Sequence, residues 1–287
     1  MTGDQQQHRL AVLGGGVMGT AIATLAVGSG LPVTLVDVDE QLLATARTQV
    51  RRQLQLAQLM RHLPKDGVEG ELVTTTSIAD LRSATAVVES VTERAEVKAK
   101  VLAEVSAVVR PGTLLVSNTS AIPIDELAGS VARPEDLAGV HFMNPPYLIR
   151  TVEVIRGPRT GQAAMDAVAT LLAALGQESV VVGDGPGFVI NRILQRTIND
   201  AARIVEEGIA TPEAVDALFQ GCLGHRTGPL VTADIIGLDN VVDSLRVLHE
   251  RTGDEGYRPC DLLVAKVREG DFGRKTGRGF FDHGGAL

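Results

Sequence analysis

The sequence predicts an α/β chain, a doubly wound and mostly parallel sheet with helices on both faces, followed by a smaller all-helical domain. Short β-branched runs alternate with amphipathic stretches through the first two thirds of the chain. A glycine-spaced turn follows the first run directly. Beyond the "GDGPG" stretch at 183–187 no strand-like run returns. Alternation of this kind is what a parallel sheet covered by crossover helices requires.

The runs are, in order, "RLAVLG", "PVTLVD", "LVTTT", "AVVESV", "TLLVSN", "GVHFM", "TVEVI" and "SVVVG". Their Val, Ile, Leu and Thr content suits buried strands. "EVKAKVLAEVSAVV" and "GQAAMDAVATLLAALG" carry apolar residues three and four apart and read as helices among them. "FVINRILQRTINDAARIVEEG" has the same period and reads as the first long helix after the Gly-Pro-Gly turn. The expected division is therefore 1–184 for a sheet domain and 185–287 for a helical one.

Composition narrows the function. At 44% hydrophobic and 22% charged residues, the 287-residue chain is that of a globular protein able to bury a core. A formal charge of −8 repels nucleic acid and anionic lipid, and with no Trp and 3% aromatics there is no platform for stacking bases. No apolar run approaches the roughly 20 residues needed to span a bilayer, and "MTGDQQQHRL" lacks the segments of a signal peptide, so a cytoplasmic location is expected. Cys222 and Cys260 form no CxxC and read as a reduced, buried pair of thiols; the six histidines lack metal-ligand spacing, so no metal is expected.

In "AVLGGGVMGTAIA" the residues Gly14, Gly16 and Gly19 form a GxGxxG array between a strand and a helix. Gly14 permits the tight turn, Gly16 lets a pyrophosphate approach the backbone, and Gly19 lets the helix pack closely on the strand, with Val17 and Met18 opening the helix. Asp37 ends the second run, where a carboxylate can accept ribose hydroxyls; capping the next helix is its plain alternative, a task Asp39 can also perform. The residues that follow, Val38, Asp39 and Glu40, would repel a 2′-phosphate, so NAD is expected rather than NADP. The array points to a Rossmann-type nucleotide-binding domain.

His141 and Glu153 lie in adjacent β-rich runs. A histidine in an apolar strand is more often a satisfied core residue than a catalyst, and a glutamate there fits an exposed edge equally well. Side by side, however, Glu153 can accept the Nδ1 proton, hold the ring and leave Nε2 to take a proton from substrate. This is the pairing expected of a general base and its orienter.

The ordered set "GGGVMG", "SNTSAI", "GVHFMNP", "TVEVI", "GFVINRIL" and "GRKTGRGFF" resembles the L-3-hydroxyacyl-CoA dehydrogenase family, including its 3-hydroxybutyryl-CoA dehydrogenases, over nearly the whole chain. The resemblance implies an NAD-binding Rossmann domain and a helical domain that binds substrate and forms a homodimer. It implies oxidation of a 3-hydroxyacyl thioester to the 3-oxo form, with His141 as base and Glu153 as its partner. Ser120 would lie near the reacting oxygen, Asn191 would help hold substrate and histidine, and Glu93, Lys98, Asn144 and Lys275 would surround the nicotinamide half of the cofactor. Each has a plain alternative: a helix cap for Ser120, a polar helix face for Asn191, surface decoration for Glu93 and Lys98, a solvated charge for Lys275.

Two stretches depart from the family pattern. His225, Arg226 and Thr227 in "GHRTGPLVTADIIGLD" stand where apolar side chains are expected, which suits a short, polar acyl group if they face it; Arg226 pointing to solvent is the alternative. In "ARTQVRRQLQLAQLMRHLPKDG", Arg47, Arg51, Arg52 and Arg61 keep the region basic in place of the family's lysines, fitting CoA phosphates or the acidic face of an acyl carrier protein. A looser resemblance points to enzymes that oxidise a carrier-bound glyceryl unit for polyketide extenders. A free hydroxy acid or sugar acid as substrate, and a non-catalytic NAD-binding or crystallin-like role, complete the alternatives.

Overall fold

All eight β-rich runs are strands of one sheet in the computed structural model, which describes residues 9–64 and 67–284. They are β1 (Leu10–Leu13), β2 (Val33–Val36), β3 (Leu72–Thr75), β4 (Ala86–Glu89), β5 (Leu114–Ser117), β6 (Leu137–His141), β7 (Thr151–Arg156) and β8 (Glu178–Gly183). The order is β3-β2-β1-β4-β5-β6-β7-β8, parallel throughout except where β6 meets β7. The strand order reverses between β1 and β4, the place at which open α/β sheets open a ligand crevice beyond their carboxyl ends. The expectation about a leader rests largely on residues 1–8, which lie outside the described residues.

The helices among the strands are α1 (Val17–Gly28), α2 (Glu40–Leu59), α3 (Ala95–Val108), α4 (Ile124–Ala128) and α5 (Gln162–Ala174). α2 begins where Asp39 accepts the amides of Gln41 and Leu42, and it buries Leu43, Ala46, Val50, Leu54 and Ala57, one stripe at helical spacing. α1 is buried nearly all round from Gly19 to Gly28. Ile22 and Leu25 pack with Val12, Leu35 and Val88 in the sheet core, each such burial contributing about 1.5–3 kcal/mol.

The chain divides into two compact units, the first ending at Gly185 and the second beginning at Pro186, one residue beyond the expected boundary. The second unit consists of α6 (Ile190–Glu206), α7 (Pro212–Leu223), α8 (Pro229–Ile236), α9 (Leu238–Thr252) and α10 (Asp261–Glu269). Its core gathers Ile198, Leu230, Leu238, Val241, Leu245, Leu248 and Leu263. The "GRKTGRGFF" segment folds against buried Asp234, whose carboxylate accepts the amides of Phe280 and Phe281 and faces His283 Nε2 at 2.9 Å. A Cβ on Gly279 would sit 2.1 Å from that carboxylate, which is why glycine stands there.

The expectation of two buried thiols needs correction. Cys260 is buried, but Cys222 is exposed, because α7 turns only Val215 and Asp216 fully inward and Cys222 falls on its outer face. Burial pushes the Cys260 thiol up from its ordinary pKa. Among the described residues no helix is long and apolar enough to cross a membrane, and no three His, Cys, Asp or Glu side chains converge as a metal site.

Candidate active site

β1 delivers its chain straight into the glycine turn. Gly14 has φ +102°, and a Cβ there would stand 2.6 Å from the Ser90 carbonyl oxygen; a Cβ on Gly19 would stand 1.8 Å from the Gly14 carbonyl oxygen. Both positions therefore demand glycine, the first for conformation and contact and the second for contact alone. Gly16 differs, since a Cβ there meets nothing within 4 Å. The space above it is open, as an approaching phosphate requires. With Gly16 at the N-cap, α1 starts without a side-chain cap, leaving its first amides to a ligand; Val17 is 69% exposed at this tip.

Asp37 closes the other side of the turn. Its Oδ2 accepts the Gly15 amide at 2.7 Å and its Oδ1 the Asp39 amide at 3.1 Å, while Asp39 takes the capping task. A carboxylate has about four acceptor sites, so Asp37 retains capacity for ribose hydroxyls. A cleft of about 630 Å³ runs over Gly14, Gly16, Asp37, Ser90, Val91 and Val97. The open amides, the glycine pattern and this carboxylate fit a dinucleotide.

Further along the same rim, His141 ends β6 and Glu153 lies opposite it on β7, the two being register partners. His141 Nδ1 stands 2.8 Å from Glu153 Oε2, with both residues at least 93% buried. Asn118, just past β5, is buried and accepts the Phe142 amide at 2.9 Å through Oδ1.

Between cleft and dyad lies a buried ionic network. Lys98, 1% exposed, donates to Glu89 Oε1 at 2.8 Å and pairs with Glu93 Oε2 at 3.1 Å. Glu89 also accepts Ser117 Oγ at 2.6 Å and the Val91 amide at 2.8 Å. Glu93 accepts the Thr119 hydroxyl and the amides of Ser120 and Ala121. Burial opposes the charged form of Lys98, but Glu89 and Glu93 outweigh it and hold the ammonium above the usual lysine range. Burial likewise works to raise Glu93, yet Lys98, Thr119 and the Ser120 amide hold it below the usual carboxylate range. Because the Glu93 side chain keeps 39% of its surface accessible, water screens part of this effect.

The first unit thus brings together Gly14, Gly16, Val17, Met18, Gly19 and Asp37 at the turn, and Glu93, Lys98 and Ser120 in one network. Lys98 is no surface decoration. Ser120 is half-buried, and the amides that open α4 go instead to Asp184, at 2.9 Å from Ile124 and 2.8 Å from Asp125. Asn144 is exposed in the turn after β6, and Arg51 is exposed on α2. In the second unit Asn191 is buried and accepts Gln195 Nε2 at 3.0 Å, Lys275 forms an ion pair with Asp239, and Arg226 is exposed with His225 and Thr227. Glu89, Ser117, Asn118, Thr119 and Asp184 were not singled out from sequence. Three of them stand inside the "SNTS" motif, which was the available signal.

An opening for a dinucleotide and a buried His–Glu pair on one rim of one sheet fit an NAD-dependent oxidoreductase, and that is the class this fold and site define. Residues 9–185 match the model of the 3-hydroxyacyl-CoA dehydrogenase NAD binding domain, and residues 187–283 that of the 3-hydroxyacyl-CoA dehydrogenase C-terminal domain. The chain belongs to the 3-hydroxyacyl-CoA dehydrogenase family. It is 40% identical over 282 residues to 3-hydroxybutyryl-CoA dehydrogenase of Bradyrhizobium diazoefficiens, covering 97% of this chain and 96% of that one. Among solved structures, FadB2 of M. tuberculosis superposes with a TM-score of 0.90 at 33% identity, covering 96% of this chain and 98% of that one. The (S)-3-hydroxybutyryl-CoA dehydrogenase PaaH1 of Ralstonia eutropha gives 0.87 at 33% identity, over 96% and 99%.

Proposed function

We propose that the enzyme oxidises a short 3-hydroxyacyl-CoA, of which 3-hydroxybutyryl-CoA is the model substrate, to the 3-oxoacyl thioester. NAD, when bound, supplies the hydride acceptor. His141 removes the hydroxyl proton through Nε2, and Glu153, held at Nδ1, keeps the ring in that tautomer and stabilises the imidazolium. By the family resemblance Ser120 lies near the reacting oxygen and Asn191 helps to hold substrate and histidine. In the reverse direction the same groups return the proton.

The observation that carries this reading is the 2.8 Å approach of His141 Nδ1 to Glu153 Oε2 between strands whose register sets the two opposite each other. Relatives named 3-hydroxybutyryl-CoA dehydrogenase support the substrate class. The polar, exposed His225–Arg226–Thr227 turn favours a second reading, the same chemistry on a carrier-protein-bound polar unit such as glyceryl, with the exposed Arg47, Arg51 and Arg52 receiving the carrier. A homodimer through the helical unit belongs to the proposal, supported by Ile193, Ile209, Leu218 and Leu223, each more than half exposed.

The test is NADH formation from one hydroxyacyl group offered as CoA ester, carrier-protein ester and free acid. Highest kcat/KM on the CoA ester is expected. Preference for the carrier ester selects the second reading, and turnover of the free acid alone overturns both.

A further inference from the structure

The buried face of α6 carries three amide side chains, each about one helical turn from the next: Asn191, Gln195 and Asn199. Asn199 is satisfied at both ends. Its Nδ2 donates to the carbonyl oxygens of Gly256 and Arg258 at 2.9 and 2.8 Å, and its Oδ1 accepts the Cys260 amide at 3.0 Å, a structural task that ties α6 to the chain beyond α9. Gln195 differs. It is 2% exposed, its Nε2 donates to Asn191 Oδ1 at 3.0 Å, and its Oε1 is buried with no hydrogen-bond partner among the described residues. A buried acceptor left without a donor costs stability that an apolar side chain of the same length would not. Gln195 is therefore placed for the bond it makes rather than for the packing it provides.

That bond settles how Asn191 is turned. With Oδ1 directed at Gln195, the Nδ2 end of the same planar amide lies on the other side, and what Asn191 offers there is a donor. A donor suits the carbonyl or hydroxyl oxygen of a hydroxyacyl thioester, whereas an amide able to turn over would present an acceptor as readily. Resting on the proposed role of Asn191 in holding substrate, we propose that Gln195 is a positioning residue that locks the Asn191 amide with Nδ2 as the group offered to a substrate oxygen. Gln195 acts through Asn191, and no contact with substrate is required of it.

Steady-state NADH formation from 3-hydroxybutyryl-CoA by the whole enzyme tests this in the parent, Asn191→Ala, Gln195→Met and the double variant. Gln195→Met keeps the length of the side chain without its polar atoms. It should lower kcat/KM for the thioester roughly three- to tenfold, the worth of one net hydrogen bond, while the Kd for NAD and the melting temperature stay close to the parent's. In the Asn191→Ala background the same substitution should have no further effect. Gln195→Glu supplies a signature that a packing role would not: its neutral carboxyl can donate to Asn191 Oδ1 as the amide does, but its carboxylate only accepts and draws Nδ2 toward itself. Its kcat/KM relative to the parent should therefore fall as pH rises through the titration of that carboxyl, which burial moves upward. Parental kcat/KM in a folded Gln195→Met protein overturns the proposal, as do equal losses from that substitution with and without Asn191. If Gln195→Met does not fold, the Gln195→Glu profile decides, and a ratio independent of pH is then the refuting result. A parent enzyme that turns over no hydroxyacyl thioester overturns the proposed function itself, an outcome read without any Gln195 variant.

Discussion

Asn118 Oδ1 receives the Phe142 amide at 2.9 Å, tying the turn after β5 to the residue that follows His141. Without that acceptor a buried amide is orphaned, which costs about 1–3 kcal/mol. Asn118→Ala should lower the urea midpoint by a corresponding amount at unchanged slope. It should also reduce kcat more than it raises the KM for NAD, since the loosened segment adjoins His141, the proposed base, and not the glycine turn.

His141→Gln should lower kcat by about 10² to 10⁴ while the Kd for NAD stays at the parental value. Stopped-flow turnover beside calorimetric binding separates the two quantities. Near-parental turnover would remove His141 from the chemistry.

Glu153→Gln keeps the size of the side chain but removes the charge facing Nδ1. A loss of about 10- to 100-fold in kcat is expected, as for other groups that orient a working histidine. Its urea midpoint should stay close to the parent's, so activity and folding are read independently.

The glycine turn gives a contrast within one motif. Gly19→Ala drives a Cβ into the Gly14 carbonyl oxygen and should cost both stability and NAD affinity. At Gly16 a methyl group meets open space, so Gly16→Ala should melt close to the parental temperature yet bind NAD more weakly, because the methyl occupies the phosphate's approach. Differential scanning calorimetry together with NAD titration checks both.

The network also predicts a pH window. Glu93 is held below its ordinary 4.5, so its pairing contributes fully above that pH and is lost as pH falls through the lowered value. Lys98 is held above its ordinary 10.5, so its pairing contributes fully below that pH and is lost as pH rises through the raised value. Stability-versus-pH curves of the parent and Glu93→Gln should lie apart from about pH 5 to 10 and converge in acid. Parallel curves throughout would show that Glu93 pairing does not contribute.

Much of the fold was legible because period and punctuation agreed. Most of the β-rich runs stand at or near a Gly, Asp, Asn or Ser, and in a parallel sheet covered by helices such runs have few other uses. Gly14, Gly16 and Gly19 were legible for the same reason, since a strand, a turn and a helix meet there within one short stretch. Glu89 was not. In "AVVES" it reads as a polar strand end, and its burial depends on Ser117 from the next strand and Lys98 from a later helix, partners that only the sheet order brings together. Asp184 escaped notice likewise, because the helix it caps begins 60 residues earlier. Cys222 was misjudged because a small apolar residue near a helix end carries no sign of which face it occupies.

The antiparallel pairing of β6 with β7 bears on how this enzyme can diverge. Residues 142–150 join the two strands, and their length does not decide which side chain meets His141; the backbone ladder does. Loop insertions there leave the dyad intact, whereas adding or deleting one residue within either strand turns the later part of it over and sends one partner to the opposite face. Variation in the length of the connecting loop is therefore decoupled from variation that would separate His141 from Glu153.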